Sequence, residues 1–314
     1  MLKTLVVYSG KYGTTEEIAK IISLIAGPAR YCTVDNFKEE YRDFDFVVLG
    51  APIYEEKLEQ TMVEFVKQNS AWLNNKAVAV YCTCLDTNGG LRELNNLAFE
   101  NQINFLNLKA LGGRLILDKL DSDDKVAIKD FLELVKLPNE DIDFYNKAEV
   151  IKFALKLKEL KEELLEKLDD EKLLVMVEEF ISSHNTCCLA TCHDGTVRST
   201  PIEYNYRNKN LYLLSEGGEK FSNLLLNNNV SVSIYDSFEG MNSLAGMQIT
   251  GKAIIIPETC DEYGEVIEMK GLNLESLKKL PVNINLIKIQ VGRVEFLYSK
   301  FKEMNVDTKQ IVNY

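Results

Sequence analysis

Leu5-Val6-Val7-Tyr8-Ser9-Gly10-Lys11-Tyr12-Gly13-Thr14-Thr15-Glu16-Glu17-Ile18-Ala19 reads as a strand, a small-residue loop and the start of a helix. The run Leu5 to Tyr8 is apolar and rich in strand formers, while Ile18, Ile21, Ile22 and Ile25 recur on one helical face. A strand-loop-helix of this kind aims several backbone N–H groups and a helix N-terminus at one point. That point suits a phosphate. Ser9, Thr14 and Thr15 add hydroxyl donors, Gly10 and Gly13 let the chain turn and approach closely, and Lys11 and Tyr12 complete the loop. The loop is neither the Lys-Ser/Thr loop of nucleoside triphosphate sites nor the GxGxxG of dinucleotide sites. The plain alternative is an ordinary α/β strand-loop-helix with no ligand.

A chain of 314 residues has room for two domains. At 46% hydrophobic and 27% charged it has globular composition. The formal net charge is −12 and no basic stripe occurs, so no nucleic-acid partner is expected. Any anionic ligand must then be held by local donors and not by the overall field. No apolar run is long enough to cross a membrane, and the sequence opens on a strand without a signal-peptide pattern. The expected location is the cytoplasm, with no membrane partner. Seven cysteines, at positions 32, 82, 84, 187, 188, 192 and 260, form no regular framework and read as reduced thiols. Cys187, Cys188, Cys192 and His193 invite a metal reading. Adjacent strand residues face opposite sides, however, and no C-x-x-C occurs, so no metal is expected. His184 is expected at a helix end and His193 in a turn. Neither has a Ser or Cys partner, so no catalytic residue is assigned.

Beyond the first helix, strands are expected over 29–34, 44–50, 77–82 and 109–117, the last interrupted at Gly112-Gly113. Helices are expected over 58–73, 91–105 and 121–135. Alternation of this kind predicts a doubly wound parallel sheet, whose ligands sit beyond the carboxyl ends of the strands. Three loops meet there: 9–15, then Ala51, Pro52, Ile53 and Tyr54, then 83–90 with Thr83, Cys84 and Leu85 at its start. These segments make residues 1–165 resemble a flavodoxin domain, in particular the branch that includes menaquinone-linked protoporphyrinogen oxidases. The resemblance implies that the first loop holds the phosphate of FMN and that the other two flank its ring. Tyr54, the one aromatic of the second loop, is the expected stacking residue. The third loop departs from the family in having Cys82 and Cys84 where an aromatic is common.

Residues 147–180 are charged and helical, with Leu155, Leu157, Leu160, Leu164, Leu165 and Leu168 among Lys and Glu. The apolar spacing does not sustain a heptad, so two helices meeting at Asp169-Asp170 are expected. From Thr186 short strands take over: 186–192, 197–206, 211–215, 230–236, 246–256 and 286–296, with helical breaks near 220–226 and 260–269. This predicts a barrel. Thr196-Val197-Arg198-Ser199-Thr200-Pro201, Leu211 to Ser215 followed by Lys220-Phe221-Ser222-Asn223-Leu224, and Ile249-Thr250-Gly251-Lys252-Ala253 make residues 166–314 similar to the pyridoxamine 5′-phosphate oxidase-like FMN-binding split barrel. The resemblance places Arg198, Ser199 and Thr200 along a flavin, Ser215 near its ring or ribityl chain and Lys220 on its phosphate. It has Gln248 reach the ligand across a homodimer built through the split barrel. The Arg-rich segment with which the family's oxidases grip pyridoxal phosphate has no counterpart in 296–314.

Together these readings give α/β plus all-β architecture and a flavoprotein with one FMN expected per domain. Its expected role is an FMN-dependent oxidoreductase or electron-transfer protein between a small-molecule donor, NAD(P)H by class, and an acceptor. The alternatives are a flavin-binding sensor or storage protein without turnover and a quinone-linked porphyrinogen oxidase.

Overall fold

The computed structural model describes residues 1–134 and 139–314. They form two compact units, Leu2–Leu164 and Leu165–Tyr314, with Met1 grouped with the second. The first contains β1 (Thr4–Tyr8), α1 (Thr14–Ile25), β2 (Ala29–Thr33), β3 (Phe46–Tyr54), β4 (Lys57–Leu58), α2 (Gln60–Gln68), α3 (Ser70–Leu73), β5 (Ala77–Cys84), α4 (Thr87–Asn101), β6 (Asn107–Gly112), β7 (Arg114–Leu115), α5 (Ser122–Leu134), β8 (Ile142–Asp143) and α6 (Lys147–Glu163). Strand order is β2-β1-β3-β5-β6, all parallel, with β4 folded back on β3. This is the doubly wound flavodoxin-like sheet. Leu5, Val7, Val47 and Leu49 point to one face with Met62, Phe65 and Leu94. Val6, Phe46 and Val48 point to the other with Ile18, Ile22, Phe153 and Leu157. Alternation along buried strands thus makes two cores, one per face.

Two expected loops are mostly strand. Ala51 and Pro52 continue β3 in register with Cys82 and Thr83, and Ile53 and Tyr54 pair with Leu58 and Lys57. The turn falls at Glu55-Glu56, both left-handed, with φ of 48° and 63°. Thr83 and Cys84 belong to β5, and α4 starts at Thr87, which leaves only Leu85 and Asp86 as the connection. Asp86 takes over as cap, its carboxylate accepting from the Asn88 and Gly89 N–H groups at 3.0 Å. Gly89 and Gly90, loop-like in sequence, are therefore helical. Gly90 is required by close packing, since a Cβ there would stand 2.7 Å from Cys84 Sγ and 2.9 Å from Cys82 Sγ. Val135, the expected end of the helix opening at Asp121, lies outside the described residues.

The second unit contains α7 (Asp170–Ser183), β9 (Thr186–His193), β10 (Thr196–Glu203), β11 (Asn205–Arg207), β12 (Asn210–Ser215), α8 (Lys220–Leu224), β13 (Asn229–Tyr235), β14 (Ala245–Ile256), α9 (Asp261–Met269), α10 (Leu274–Leu277), β15 (Asn285–Tyr298) and β16 (Lys309–Asn313). The curled antiparallel sheet runs β10-β9-β13-β14-β15-β12-β11, with β16 also on β15, and is the split barrel. Leu189, Val232, Ile249, Ile289 and Phe296 fill it, and α7 adds Phe180 and Ile181. Asp169 caps α7 through the Glu171 and Lys172 N–H groups, at the expected junction. The expected strand 197–206 is broken at Tyr204. Its ring turns into the core and its hydroxyl donates to Ile181 O at 2.6 Å, which takes the residue out of the ladder.

Gly50 in β3 is sharply constrained by a side chain of the neighbouring strand. A Cβ there would stand 2.2–2.4 Å from the ring and hydroxyl of buried Tyr81. Gly50→Ala is expected to cost about 1–3 kcal/mol by overpacking, read as a fall in the urea midpoint. Adding Tyr81→Leu should recover part of that loss. Simple additivity of the two changes would show that the methyl meets something other than the ring.

Candidate functional site

The carboxyl ends of β1, β3 and β5 converge, as the topology demands. The loop 9–13 leads into α1, whose N-cap Gly13 is left-handed at φ 88° and provides no side-chain cap. The first N–H groups of a helix have no acceptor within it, so this twelve-residue helix presents donors to the loop. Gly10, at φ +128°, passes so close to its neighbours that a Cβ would meet Pro52 and Thr15 Oγ1 at 3.3 Å. Ser9 is buried, its N–H spent on Gly50 O at 2.9 Å, and its Oγ has no hydrogen-bond partner. Glu59 lies beside it. Burial pushes that carboxyl up, but Thr61, the Ser9 hydroxyl and the Thr61 and Met62 N–H groups together hold it below the usual range. Ser9 Oγ thus lies near enough to Glu59 to help hold its carboxylate, yet meets no acceptor in good hydrogen-bonding geometry. An orphaned buried hydroxyl beside an uncapped helix start is the arrangement an anion such as phosphate fits.

Other expected residues are placed differently. Thr15 is buried, and its hydroxyl lies 2.9 Å from that of Thr83. Thr14 is half-buried at the first position of α1. Lys11 turns its ammonium to Asp124 and Asp121, at 3.2 and 3.5 Å, and those carboxylates hold it above the ordinary lysine range. Tyr12 donates to Asp124; burial first, and this contact next, push its phenol up to about 12. Tyr54 stands edge-on to Tyr12, ring centroids 6.3 Å apart, and its hydroxyl accepts from Lys11 N–H at 3.2 Å. It therefore fixes the loop. Ala51 and Pro52 are buried and Ile53 is half-buried, so this segment offers mainly backbone. Thr83 and Cys84 are each 5% exposed and point into the domain, which leaves half-buried Leu85 as the accessible side chain of the three residues expected to contact the ligand there. A cleft of about 390 Å³, lined by Lys109, Gly112 and Phe144 among others, shares Leu85 and Thr87 with these segments.

In the barrel, three of the expected residues gather at the turn after β12. Ser215 and Gly217 exchange contacts at 3.1 and 3.3 Å, Lys220 Nζ donates to Gly217 O at 2.6 Å, and Arg198 pairs with Glu219 at 3.0 Å. Lys220 is 7% exposed. Burial pushes its ammonium below the usual lysine range, with Arg198 adding to that and Glu216 opposing it. The ammonium donates to the Gly217 carbonyl, a dipole and not a counter-charge, which is a setting an anion would fit. The helix expected to help, α8, has five residues and adds little field. Register divides the rest. Arg198 and Thr200 pair with Thr191 and Leu189, both inward, whereas Ser199 pairs with outward Ala190. Gln248 pairs with Ser233, and it too faces outward between buried Met247 and Ile249. Ser199 and Gln248 are thus on the opposite face from Arg198 and Thr200.

The sequence reading missed Glu59, Asp121 and Asp124, because their contacts with Ser9, Lys11 and Tyr12 are far apart along the chain, 110 and 113 positions for Lys11, and have no local signal. His184 ends α7 as expected, and its Nε2 also meets Asp236 at 2.8 Å. Among the described residues no three His, Cys, Asp or Glu side chains are grouped to hold a metal, and no helix is long and apolar enough to cross a membrane.

Residues 5–139 match the family model of the flavodoxin domain, and residues 176–298 match that of pyridoxamine 5′-phosphate oxidase. No curated protein matches the chain. Solved structures similar to part of it include a FAD-binding protein from Mesorhizobium loti, with 19% identity and TM-score 0.32 over 42% of this chain and 95% of that one. The haem storage protein HutZ from Vibrio cholerae has 17% identity and TM-score 0.33 over 37% and 88%. ChuZ from Campylobacter jejuni has 18% identity and TM-score 0.35 over 50% and 68%.

Ser9→Ala removes a hydroxyl without a hydrogen-bond partner. Stability of the free protein should be unchanged or raised by up to about 1 kcal/mol in urea denaturation. A loss above about 1 kcal/mol would reveal a working bond, with Glu59 as its acceptor.

Proposed function

We propose that this chain, a flavodoxin-like domain followed by a pyridoxamine 5′-phosphate oxidase-like split barrel, is a flavin-dependent oxidoreductase that holds one FMN in each domain. Electrons pass between a small-molecule donor, NAD(P)H by class, and an acceptor. Both families generally bind flavin. The observation that carries the reading is the pair of separate anion-ready places. One is the Ser9 hydroxyl, orphaned beside the uncapped start of α1, and the other is the buried ammonium of Lys220.

A bound flavin supplies the hydride and single-electron chemistry itself; the protein supplies binding, orientation and electrostatics. In the first domain Ser9, Thr14, Thr15 and the N–H groups opening α1 take the phosphate. Tyr54 forms one wall of the ring site, and Leu85 with the backbone of Thr83 and Cys84 forms the other. In the barrel Lys220 takes the phosphate, with Arg198, Thr200 and Ser215 beside it. Ser199 and Gln248 face away from that cluster and serve a flavin only where a second copy lies on the outer face of the sheet. That face carries Val197, 70% exposed, and Tyr235, 61% exposed. The homodimer is therefore part of the proposal, and a monomer on sedimentation of the loaded protein would remove it.

Loaded protein should release two FMN per chain on acid treatment, and it should oxidise NADH or NADPH when an artificial acceptor is present. Lys220→Ala should retain close to half of the flavin at modest FMN concentration. A charge-assisted contact of this kind contributes about 2–4 kcal/mol where it is desolvated. Release of one FMN per chain even with excess FMN would defeat the two-site reading, and a full complement in Lys220→Ala would remove Lys220 as the phosphate ligand of the barrel. Two bound flavins with no turnover would instead favour a carrier or sensor.

A further inference from the structure

The hydroxyls of Thr15 and Thr83 are 2.9 Å apart and both residues are buried, at 4% and 5% exposure. Only one hydrogen can lie between them. If Thr15 donates, its hydrogen is spent on Thr83. If Thr83 donates, the hydrogen of Thr15 is free to reach an anion in the loop. Thr15 Oγ1 lies 3.3 Å from where a Cβ of Gly10 would stand, so it sits directly beneath the loop.

We infer that Thr83 is a positioning residue for the phosphate seat. It donates to Thr15 Oγ1, and Thr15 in turn donates to the phosphate oxygen. The inference rests on the FMN reading of the first domain. Two features favour this direction. A threonine in a helix divides between two rotamers, because its hydroxyl can also bond a carbonyl of the preceding turn; the contact with Thr83 selects one of them. A chain of hydroxyls ending on an anion also polarises in a single direction, each bond strengthening the next. Both partners are held from behind. Tyr81 Oη donates to Thr15 O at 2.9 Å, and Thr83 is paired within the sheet to Pro52 and Leu111. The hydroxyl contact is therefore not needed to hold α1 on the sheet, which Tyr81 already does. Its remaining role is to aim a hydrogen. The third segment then contributes to phosphate binding through Thr83, although it was expected only to flank the ring.

Riboflavin, which lacks the phosphate, separates this role from a structural one. The full chain is titrated calorimetrically with FMN and with riboflavin. In Thr83→Val one FMN-binding event should weaken about five- to tenfold, the share of one neutral hydrogen bond. Riboflavin binding should stay unchanged, and Thr83→Ser should restore FMN affinity. Thr83→Ala replaces valine if circular dichroism shows that valine disturbs the fold. Equal weakening of FMN and riboflavin, or no weakening of either, would overturn the inference. A wild-type chain that takes up no FMN would overturn both the inference and the reading beneath it.

Discussion

A tyrosine crossing a glycine fixes the first domain. Tyr81 on β5 lies against Gly50 on the neighbouring β3, where a methyl group would already collide with its ring. The ring continues to the start of α1 and its hydroxyl donates to Thr15 O at 2.9 Å. It is fully buried, so this bond is shielded from water and is costly to leave unmade. One side chain thus ties the sheet to the first turn of the helix and sets where the N–H groups of that turn point. The loop, the orphaned Ser9 hydroxyl and the Thr15–Thr83 contact all take their positions from it.

The two anion-ready places rest on different physics. In the first domain the donors are neutral hydroxyls and peptide N–H groups, oriented by a twelve-residue helix. In the barrel the helix has five residues, and the donor is a charged amine taken out of water. The first arrangement leaves one buried neutral hydroxyl, that of Ser9, without a hydrogen-bond partner, which costs less than a buried charge. The second keeps a desolvated charge beside a carbonyl, which is why the ammonium of Lys220 is pushed below its usual range.

Where the sequence was legible, periodicity made it so. Buried runs such as Leu5 to Tyr8 and Phe46 to Leu49 fill both faces of a parallel sheet, and alternation along β14 marks a sheet with one packed face. Strand ends were not legible. Ala51, Pro52, Thr83 and Cys84 look like loop because small, cyclic and polar residues are poor strand formers, yet pairing with neighbouring strands carries β3 and β5 two to four residues further. Gly89 and Gly90 misled in the same way, because a cap from Asp86 and the sulfurs of Cys82 and Cys84 outweigh their helix propensity. In the barrel, Arg198 and Ser199 are neighbours in one strand and so lie on opposite faces, but which of them faces inward is set by register with β9.

The acidic composition of the chain has a local counterpart at the first site. Lys11 is the one cation of its loop, and Asp121 and Asp124 draw it outward. All three side chains are well exposed, so the pairing contributes little to stability. Its larger effect is on position. With Lys11 held at the rim by the start of α5, and Tyr12 bound to the same Asp124, the tip of the loop is fastened from outside while Tyr54 fastens it from within. The seat itself is left to donors without net charge. A protein with a formal charge of −12 can hold an anion there because the donors act at contact distance, where a few aligned dipoles outweigh a screened long-range field.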